Sequence, residues 1–502
     1  MEKSLSYYLA ELRRYGEKNG LLREEDAAYA MNAWLALFKT ADLSEEKLPL
    51  TERSLEKILA SLCDEAAARG LIDGESQTER DLFDTALMGV LTARPSEVID
   101  RFYRLYETSP EAATEDFYRM QCAVNYIRTE RVAKDLKWQV ETPYGVMDMT
   151  INLSKPEKDP KAIAAARLQK AAGYPKCLLC HECEGFAGDL SRPARQNLRQ
   201  IPMQMAGKKW FLQYSPYVYY NEHCIALSAA HEPMRIDRQS FVKALDFVTE
   251  FPHYFIGQNA DLPIVGGSIL SHDHMQGGRY TFAMAKAPVR EAVCFDGFAS
   301  VRAGILHWPM SVLRLESEDK EALVSLADKI LKVFREYSDE SAEILAYSKG
   351  EPHNTITPIA RRAEGGYQLD LVLRNNRTSE EHPLGIFHPH AELHNIKKEN
   401  IGLIEVMGLA VLPARLKSEM NALAKVLCEG GDPALFEKTK KHAAWVAAFR
   451  DRYTFTEENA KEILFEEIGR TFVRVLEDAG VYKQTDAGMA AFLRFVDAVN
   501  KA

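Results

Sequence analysis

The chain has 502 residues, of which 46% are hydrophobic and 27% are charged, and its formal net charge is −10. This length and composition are typical of a globular protein with roughly two to four domains, or with one large duplicated domain. The negative charge, without any run of five Lys or Arg residues, argues against binding of duplex nucleic acid or an anionic membrane through bulk charge. We therefore expect any phosphate group to be bound locally.

The N-terminus and the cysteines indicate the compartment. Residues 1–20 form a charged amphipathic pattern without the apolar core of a signal peptide, and no apolar run reaches membrane-spanning length. Eight cysteines in a chain of this size do not form a disulfide framework, and five of them stand alone in sequence. We expect a soluble, cytoplasmic protein.

The spacing of apolar residues divides the chain into helical and strand-rich parts. Apolar residues three and four apart predict helices up to about residue 140, and they do so again near the C-terminus. Between these parts, short alternating segments predict strands, with helices near residues 160–171, 238–251 and 319–338. We predict an α+β fold with a helical N-terminal region (1–165), two similar antiparallel-sheet halves (166–300 and 301–415) and a helical C-terminal tail (416–502).

The segment SHDHMQGG, residues 271–278, carries polar side chains at every second position. On a strand, His272, His274 and Gln276 would line one face at intervals of about 6.8 Å. A neutral imidazole is a competent nucleophile toward phosphorus, and His274 is the central candidate. The amide of Gln276 can donate to a phosphoryl oxygen without activating water. The alternative is that the three residues form only the polar face of a half-exposed strand.

The segment CLLC suggests a metal site. Cys177 and Cys180 have the C-x2-C spacing with which two thiolates bind one tetrahedral Zn²⁺. His231 is a candidate third ligand and His272 a candidate fourth, which would anchor the strand of the nucleophile. Buried free thiols or a redox pair are the alternatives, and the neighbouring His181 and Cys183 are competing ligands.

Several separated motifs of the chain resemble those of a known enzyme family. CLLC, CIALSAAH, and GGS followed by HDHMQ are similar, in order and spacing, to motifs of the galactose-1-phosphate uridylyltransferases, which belong to the histidine-triad superfamily. The stretches YPKCLLCHECEGFAGDLSRPARQNLRQIPM and FHPHAELHNIKKENIGLIEVMGLAVLPARL resemble the second sequence type of that family, which has a long helical N-terminal region. The resemblance covers most of the chain and implies two histidine-triad-like halves.

The resemblance also implies an activity and a set of site residues. UDP-glucose would transfer UMP to the enzyme, and galactose 1-phosphate would then accept UMP to give UDP-galactose, with a homodimer as the candidate assembly. His274 matches the nucleophile and Gln276 the glutamine that favours transfer. A zinc site described in the other type of the family matches Cys177, Cys180, His231 and His272. Positions at which the family contacts the nucleotide, the ribose and the phosphates match Asn221, Asn259, Gly267 and Ser268. Each of these residues is equally a candidate turn or edge residue.

Two further groups of residues have ligand chemistry. Arg195, Asn197 and Arg199 are candidates for phosphate binding, with a solvated loop as the alternative. His388 and His390, with Glu392, His394 and His353 nearby in the same half, resemble a second metal site in the other type of the family. A structural role without metal is the alternative there.

The motif departs from the better-known type of the family, because it reads HDHMQ where that type has HPHGQ, and because Cys183 follows the cysteine pair. Two other functions remain open at this point. A dinucleoside polyphosphate phosphorylase would use similar chemistry with inorganic phosphate as acceptor. A noncatalytic, zinc-stabilised binding module is disfavoured by the acidic balance and by the lack of an aromatic and basic stripe.

Overall fold

A computed structural model describes residues 4–44, 49–153, 173–267 and 269–502. Two predictions lie outside these ranges, namely the helix near residues 160–171 and the side chain of Ser268. The helices are α1 (Leu5–Lys18), α2 (Ala27–Leu37), α3 (Leu55–Ala68), α4 (Gln77–Val90), α5 (Pro95–Tyr106), α6 (Pro110–Ala123), α7 (Thr129–Val132), α8 (Arg238–Glu250), α9 (Ala283–Lys286), α10 (Lys320–Glu336), α11 (Leu403–Val406), α12 (Arg415–Cys428), α13 (Ala443–Ala447), α14 (Ala460–Ala479) and α15 (Asp486–Lys501).

The strands separate the helical N-terminal region from the C-terminal helices. They are β1 (Leu136–Thr142), β2 (Gly145–Ile151), β3 (Ile201–Met205), β4 (Lys208–Tyr214), β5 (Cys224–Ser228), β6 (Phe255–Gly257), β7 (His274–Gly278), β8 (Val289–Val293), β9 (Arg302–Leu306), β10 (Val312–Ser317), β11 (Tyr347–Ser348), β12 (Glu351–Pro352), β13 (Asn354–Ala363), β14 (Gly366–Asn375) and β15 (Leu409–Leu412). Among the helices of the described residues, none has both the length and the apolar character needed to span a bilayer.

Ten strands form one sheet in the order β3-β4-β5-β7-β6-β13-β14-β10-β9-β8. Each half of this sheet consists of three strands, one helix and two further strands in chain order, and the two halves join where β6 pairs with β13. All the pairs within the sheet are antiparallel. The predicted α+β class, with two antiparallel halves and helical flanking regions, is confirmed. Because β8 precedes residue 301 and pairs with β9, the strand pairing crosses the predicted boundary between the halves.

The two faces of this sheet have different roles. Met275 of β7 packs with residues of α8 and α10 in one apolar core, so α8 and α10 cover that face. Side chains alternate along a strand, and His274 and Gln276 therefore lie on the opposite face, which we call the site face. A second apolar core, which contains Ile359 and Val372, covers part of the site face.

A smaller sheet connects distant parts of the chain. β1 pairs antiparallel with β2, and β2 pairs in parallel with β15, in which Leu409 lies opposite Asp148. Helix α14 packs on β1, where the indole of Trp138 stacks on Phe465 with 4.5 Å between the ring centroids. The strands that the sequence places after the N-terminal helices thus pair with a segment near the C-terminal tail.

One cross-strand row on the site face joins the two halves. Gln276 lies opposite Gly257, Gly257 opposite Ile359, Ile359 opposite Asp370, and Asp370 opposite Arg314. With strands about 4.8 Å apart, Asp370 lies about 14 Å from Gln276 across the sheet. Gln276 of the HDHMQ motif therefore occupies one half of this row, and a buried carboxylate occupies the other half.

Asp370 is fully buried between two guanidinium groups. Its carboxylate accepts two hydrogen bonds from Arg314, at 2.7 and 2.9 Å, and one from Arg361 at 2.7 Å. Burial by itself would raise the pKa of Asp370, but the two guanidinium groups outweigh it and hold this pKa below its usual range. Arg314 also donates to the carbonyl oxygens of Met284 and Ala287, so the carboxylate fixes the chain that follows β7.

We expect Asp370→Ala to destabilise the fold, because it leaves two buried guanidinium groups without their shared carboxylate. Breaking a buried pair in this way costs about 3–5 kcal/mol, and a chemical denaturation midpoint would measure the loss. The control is Glu437→Ala, which removes an exposed partner of Lys440 and should leave the midpoint unchanged. Equal midpoints for Asp370→Ala and the unmodified protein would contradict the expectation.

Candidate active site and metal centre

Four side chains from separate parts of the chain converge at the edge of the first half. The ligand atoms of Cys177, Cys180, His231 and His272 all lie within 4.8 Å of one another. The Sγ atoms of the cysteines are 3.6 Å apart, and Nδ1 of His272 lies 3.2 Å from Sγ of Cys177. Nδ1 of His231 lies 3.2 Å from Sγ of Cys180. The structure thus brings together the four residues that the sequence proposed as ligands.

This donor set fits Zn²⁺. In a tetrahedral site with Zn–S of about 2.3 Å and Zn–N of about 2.0–2.1 Å, neighbouring ligand atoms lie about 3.3–3.8 Å apart, close to the distances found here. Nε2 of His272 donates to the carbonyl oxygen of Ser228 at 2.8 Å, which leaves Nδ1 with the lone pair that a metal needs. Burial lowers the pKa of His272 and so favours this neutral form.

The competing ligands have other roles. Sγ of Cys183 donates to the carbonyl oxygen of Cys177 at 3.2 Å and is not part of the cluster. The ring of His181 stacks on Phe211 with 3.9 Å between the centroids, and its Nδ1 is 2.6 Å from the side-chain oxygen of Gln200. The CLLC pair therefore supplies the thiolate ligands without help from the residues that follow it.

The structure does not bring the second histidine group together as a metal site. Within the described residues, the four-residue cluster above is the only group of three or more His, Cys, Asp or Glu side chains with suitable geometry. His388 contacts Asn400, and Nε2 of His390 donates to the carbonyl oxygen of Ile386. His353 lies between Ser348 and Asn376. These rings therefore make local hydrogen bonds and do not converge as ligands, which sequence spacing alone cannot reveal.

His274 is the first residue of β7, and its imidazole is held in one tautomer. Its Nδ1 lies 2.8 Å from the carbonyl oxygen of His272. Because a carbonyl only accepts, Nδ1 carries the proton and Nε2 carries the lone pair. No hydrogen bond to Nε2 comes from any residue in the described ranges, and burial lowers the pKa of His274. The structure therefore presents a neutral imidazole with a free nucleophilic nitrogen.

The predicted face of three polar side chains is corrected. The strand begins at His274, so His272 lies in the preceding bend and its ring turns to the cysteine pair. Only His274 and Gln276 share the site face. The side-chain oxygen of Gln276 lies 3.1 Å from Nε2 of His223, a residue that the sequence analysis did not identify.

A buried ion pair holds the segment between the two histidines. The carboxylate of Asp273 accepts a hydrogen bond from Lys243 of α8 at 2.7 Å and another from Gln258 at 2.7 Å. Asp273 and Lys243 are both less than a tenth exposed. Asp273 thus holds His272 and His274 against α8. Proline, which the HPHGQ motif has at this position, could not make this contact.

The other predicted substrate residues lie in different settings. Asn259 is buried, and its Oδ1 accepts from the backbone N–H of Leu403 at 2.9 Å. Gly267 packs against the same amide, because a Cβ atom at this position would lie 2.7 Å from Nδ2 of Asn259. Asn221 is exposed, and its amide contacts Glu222. Asn259 and Gly267 therefore form one contact, and Asn221 does not take part in it.

The loop before β3 uses its polar side chains to hold the N-terminal helices. Asn197 is buried and donates to the carbonyl oxygen of Val124. The guanidinium of Arg199 donates to the carbonyl oxygens of Thr92 and Ala93, among others. Arg195 lies over the ring of Tyr126, 5.6 Å from its centroid. These contacts give Asn197 and Arg199 a structural role, whereas Arg195 remains half-exposed.

Two family models match the chain and describe the two domains of one enzyme family. Residues 21–233 match "Galactose-1-phosphate uridyl transferase, N-terminal domain", and residues 247–446 match the corresponding C-terminal domain. The galactose-1-phosphate uridylyltransferase of Clostridium acetobutylicum is 50% identical over 495 residues, which cover 98% of this chain and 99% of that protein. The galactose-1-phosphate uridylyltransferase of Halalkalibacterium halodurans is 50% identical over 507 residues, with 100% of both chains covered.

Among solved structures, yeast Ap4A phosphorylase Apa2 aligns with 62% of this chain and 94% of its own, with a TM-score of 0.34 and 11% identity. The family matches define the class of the protein as a transferase of nucleotidyl groups. The chain belongs to the galactose-1-phosphate uridylyltransferase family. It is therefore an enzyme, and the alternative of a noncatalytic binding module is excluded.

We expect the double change Cys177→Ser and Cys180→Ser to reduce bound zinc from about one ion per chain to nearly none, because serine is a poor ligand for this metal. The thermal unfolding temperature should fall as well, since a structural site contributes folding free energy. The matched control is Cys183→Ser, which changes a cysteine outside the cluster and should retain zinc. Elemental analysis of zinc-supplemented protein measures this, and stoichiometric zinc in the double variant would contradict the assignment.

Proposed function

We propose that this enzyme exchanges UMP between UDP-glucose and galactose 1-phosphate through a covalent uridylyl-His274 intermediate. The observation that carries the proposal is the hydrogen bond from Nδ1 of His274 to the carbonyl oxygen of His272 at 2.8 Å. It leaves the lone pair of Nε2 available for attack on phosphorus. The names of the relatives support galactose 1-phosphate as one substrate and a uridylyl group as the group that is transferred.

The exchange proceeds in two steps. Nε2 of His274 attacks the α-phosphorus of UDP-glucose, so that a P–N bond forms while the bond from that phosphorus to the bridging oxygen breaks. Glucose 1-phosphate leaves with the electron pair of the broken bond. A phosphate oxygen of galactose 1-phosphate then attacks the same phosphorus, and the P–N bond breaks to release UDP-galactose. Splitting one transfer into two steps is the general advantage of a covalent nucleophile.

Gln276 is suited to hold the phosphoryl group during both steps. It lies two residues beyond His274 on the same strand and the same face. An amide N–H can donate to a nonbridging phosphoryl oxygen, whereas the group has no readily transferred proton with which to activate water. This favours transfer to a sugar phosphate over hydrolysis.

The metal cluster acts through the backbone. A bound Zn²⁺ would fix Cys177, Cys180, His231 and His272 in place as a structural ion. His272 is also the residue whose carbonyl oxygen sets the tautomer of His274. The ligand set therefore supports the nucleophile by holding the peptide on which its hydrogen bond depends.

Several residues are proposed to bind the substrates. Asn259 follows β6, and Gly267 lies against its side-chain amide, next to the turn that leads into α11. Ser268 follows Gly267 in sequence, and we propose these three for the phosphates and ribose. Asn221 and Arg195 are kept as more exposed candidates for the nucleotide. Asn197, with its amide bonded to Val124, is proposed to act only by holding the loop that carries Arg195.

We expect isotope exchange between labelled glucose 1-phosphate and UDP-glucose in the absence of galactose 1-phosphate. A covalent intermediate allows the first product to leave and return before the second substrate binds, which gives parallel double-reciprocal plots. Exchange that requires galactose 1-phosphate would indicate direct transfer.

A second assay, with inorganic phosphate as the acceptor in place of galactose 1-phosphate, distinguishes this enzyme from a phosphorylase. Efficient release of UDP in that assay would indicate a phosphorylase.

We expect His274→Ala to lose covalent labelling by UDP-glucose radiolabelled in its α-phosphate, and to lose turnover by at least about 10⁴-fold, because no neighbouring group can replace the imidazole. The label on the unmodified protein should be acid-labile, as expected for a phosphorus–nitrogen bond. The control is His253→Ala, which removes the ring of a half-buried histidine bonded to Thr114 and should retain labelling. Acid-labile labelling of folded His274→Ala would overturn the assignment.

A further inference from the structure

His223 lies next to Gln276 although the two residues are 53 positions apart in sequence. It immediately precedes β5, in which Ile225 lies opposite Gln276 and Cys224 opposite Gly277. His223 is one residue before Cys224, so its position faces Gly278. It therefore lies diagonally from Gln276 and on the same face of the sheet. Diagonal neighbours in an antiparallel pair are within reach of long side chains.

Gly278 makes this contact sterically possible. It is the residue of β7 that faces the position of His223, and it has no side chain. A Cβ atom there would lie 2.7 Å from the carbonyl oxygen of Glu222 and 2.9 Å from the ring of Tyr220. The backbones approach closely at this point, and the imidazole of His223 extends toward Gln276 instead.

The surroundings of His223 favour one protonation state. The ring is buried, with Tyr220 and Tyr219 at centroid distances of 4.6 and 5.5 Å. Burial lowers the pKa of His223 to about 4, so the ring is neutral at pH 7. Its Nδ1 has no hydrogen-bond partner in the described part of the chain. An unpartnered lone pair is tolerated better in the interior than an unpartnered N–H, so the proton is placed on Nε2.

This placement determines the direction of the hydrogen bond. With the proton on Nε2, His223 donates to the side-chain oxygen of Gln276 at 3.1 Å. The amide oxygen of Gln276 is then occupied, and its NH₂ group faces away from His223. If the amide of Gln276 were reversed, its NH₂ group would face His223, and Nε2 of His223 would have to accept a hydrogen bond. The proton of His223 would then lie on Nδ1, where no partner in the described residues accepts it.

We propose that His223 is a positioning residue, which fixes the amide of Gln276 so that its NH₂ group, rather than its carbonyl oxygen, faces the phosphoryl group at His274. The proposal rests on the proposed function of Gln276. A carbonyl oxygen in that position would repel the nonbridging oxygens, whereas the NH₂ group donates to them. His223 thus acts on the reaction without touching the substrate.

The turn that carries His223 is itself held firmly. The carboxylate of Glu222 accepts a short hydrogen bond from the hydroxyl of Tyr254, and this hydroxyl lies 2.9 Å from that of Tyr214. The backbone carbonyl of His223 accepts from the N–H of Ser215 at 2.8 Å. Both the ring and its backbone are therefore fixed before any substrate binds, which is the condition for positioning a second side chain.

The test is a double-mutant cycle of His223→Phe and Gln276→Ala, read out as the single-turnover rate of protein labelling by radiolabelled UDP-glucose. Phenylalanine keeps a planar ring and removes the donor. We expect His223→Phe to slow labelling about 10- to 100-fold, while the dissociation constant of UDP-glucose changes by less than about 3-fold. Adding His223→Phe to Gln276→Ala should cause little further loss, because the amide to be positioned is already absent.

Rescue and a matched control separate positioning from a general structural effect. His223→Gln retains a side-chain donor, and it should label faster than His223→Phe. His253→Phe replaces another histidine whose Nδ1 is unpartnered in the described residues, and it should label at the rate of the unmodified enzyme. If the phenyl ring prevents folding, His223→Leu serves in the same cycle.

The outcomes distinguish the two proposals. If His223→Phe slows the Gln276→Ala enzyme by the same factor as it slows the unmodified enzyme, His223 acts independently of Gln276 and the inference is overturned. The inference also fails alone if Gln276→Ala slows labelling but His223→Phe does not. If Gln276→Ala labels at the normal rate, the proposed function of Gln276 fails, and the role of His223 fails with it.

Discussion

The site depends on one backbone hydrogen bond, from Nδ1 of His274 to the carbonyl oxygen of His272. This bond determines which nitrogen of His274 carries the lone pair, because a carbonyl oxygen can only accept. The carbonyl belongs to a residue whose own ring is held by the cysteine pair and by the carbonyl oxygen of Ser228. Any movement of the cysteine cluster would therefore reach the imidazole of His274 through a single peptide unit.

A second set of contacts supports the same peptide from the other side of the sheet. Asp273, between the two histidines, pairs with Lys243 of α8 and accepts from Gln258 at the end of β6. The segment from His272 to His274 is thus held by the cluster of cysteine and histidine side chains, by a helix and by a neighbouring strand. Burial also keeps His223, His272 and His274 neutral, since it lowers the pKa of each ring. A neutral ring is what each of the three proposed roles requires.

The duplicated sheet uses its two halves differently. The halves have the same order of strands and helix, and they share one cross-strand row on the site face. In the first half this row carries Gln276, and in the second half it carries Asp370 between Arg314 and Arg361. The second half therefore has a buried ion cluster where the first half has the pair of His223 and Gln276. Since Arg314 also holds the chain after β7, the second half stabilises the connection on which the first depends.

The α+β class, the helical flanks and the identity of the motif residues could all be predicted from the amino-acid sequence. Periodicity of two and of three to four residues reports local structure, and this is sufficient for β7 and α8. The C-x2-C spacing and the alternation of His274 and Gln276 are local as well. The resemblance to a family, carried by separated motifs, indicated the activity, and it matched His231 and His272, which their ligand chemistry had already made candidates for partners of the cysteines.

Contacts between residues that are far apart in sequence became visible in the three-dimensional structure. The bond between His223 and Gln276 depends on the register of β5 against β7, and the Asp273–Lys243 pair depends on the packing of α8, neither of which leaves a local pattern. The structure also showed that the strand begins at His274, so that His272 turns to the metal cluster, and that His388 and His390 bond to their own loop. Register and packing arise from the whole buried sheet, and they therefore cannot be read from any one segment.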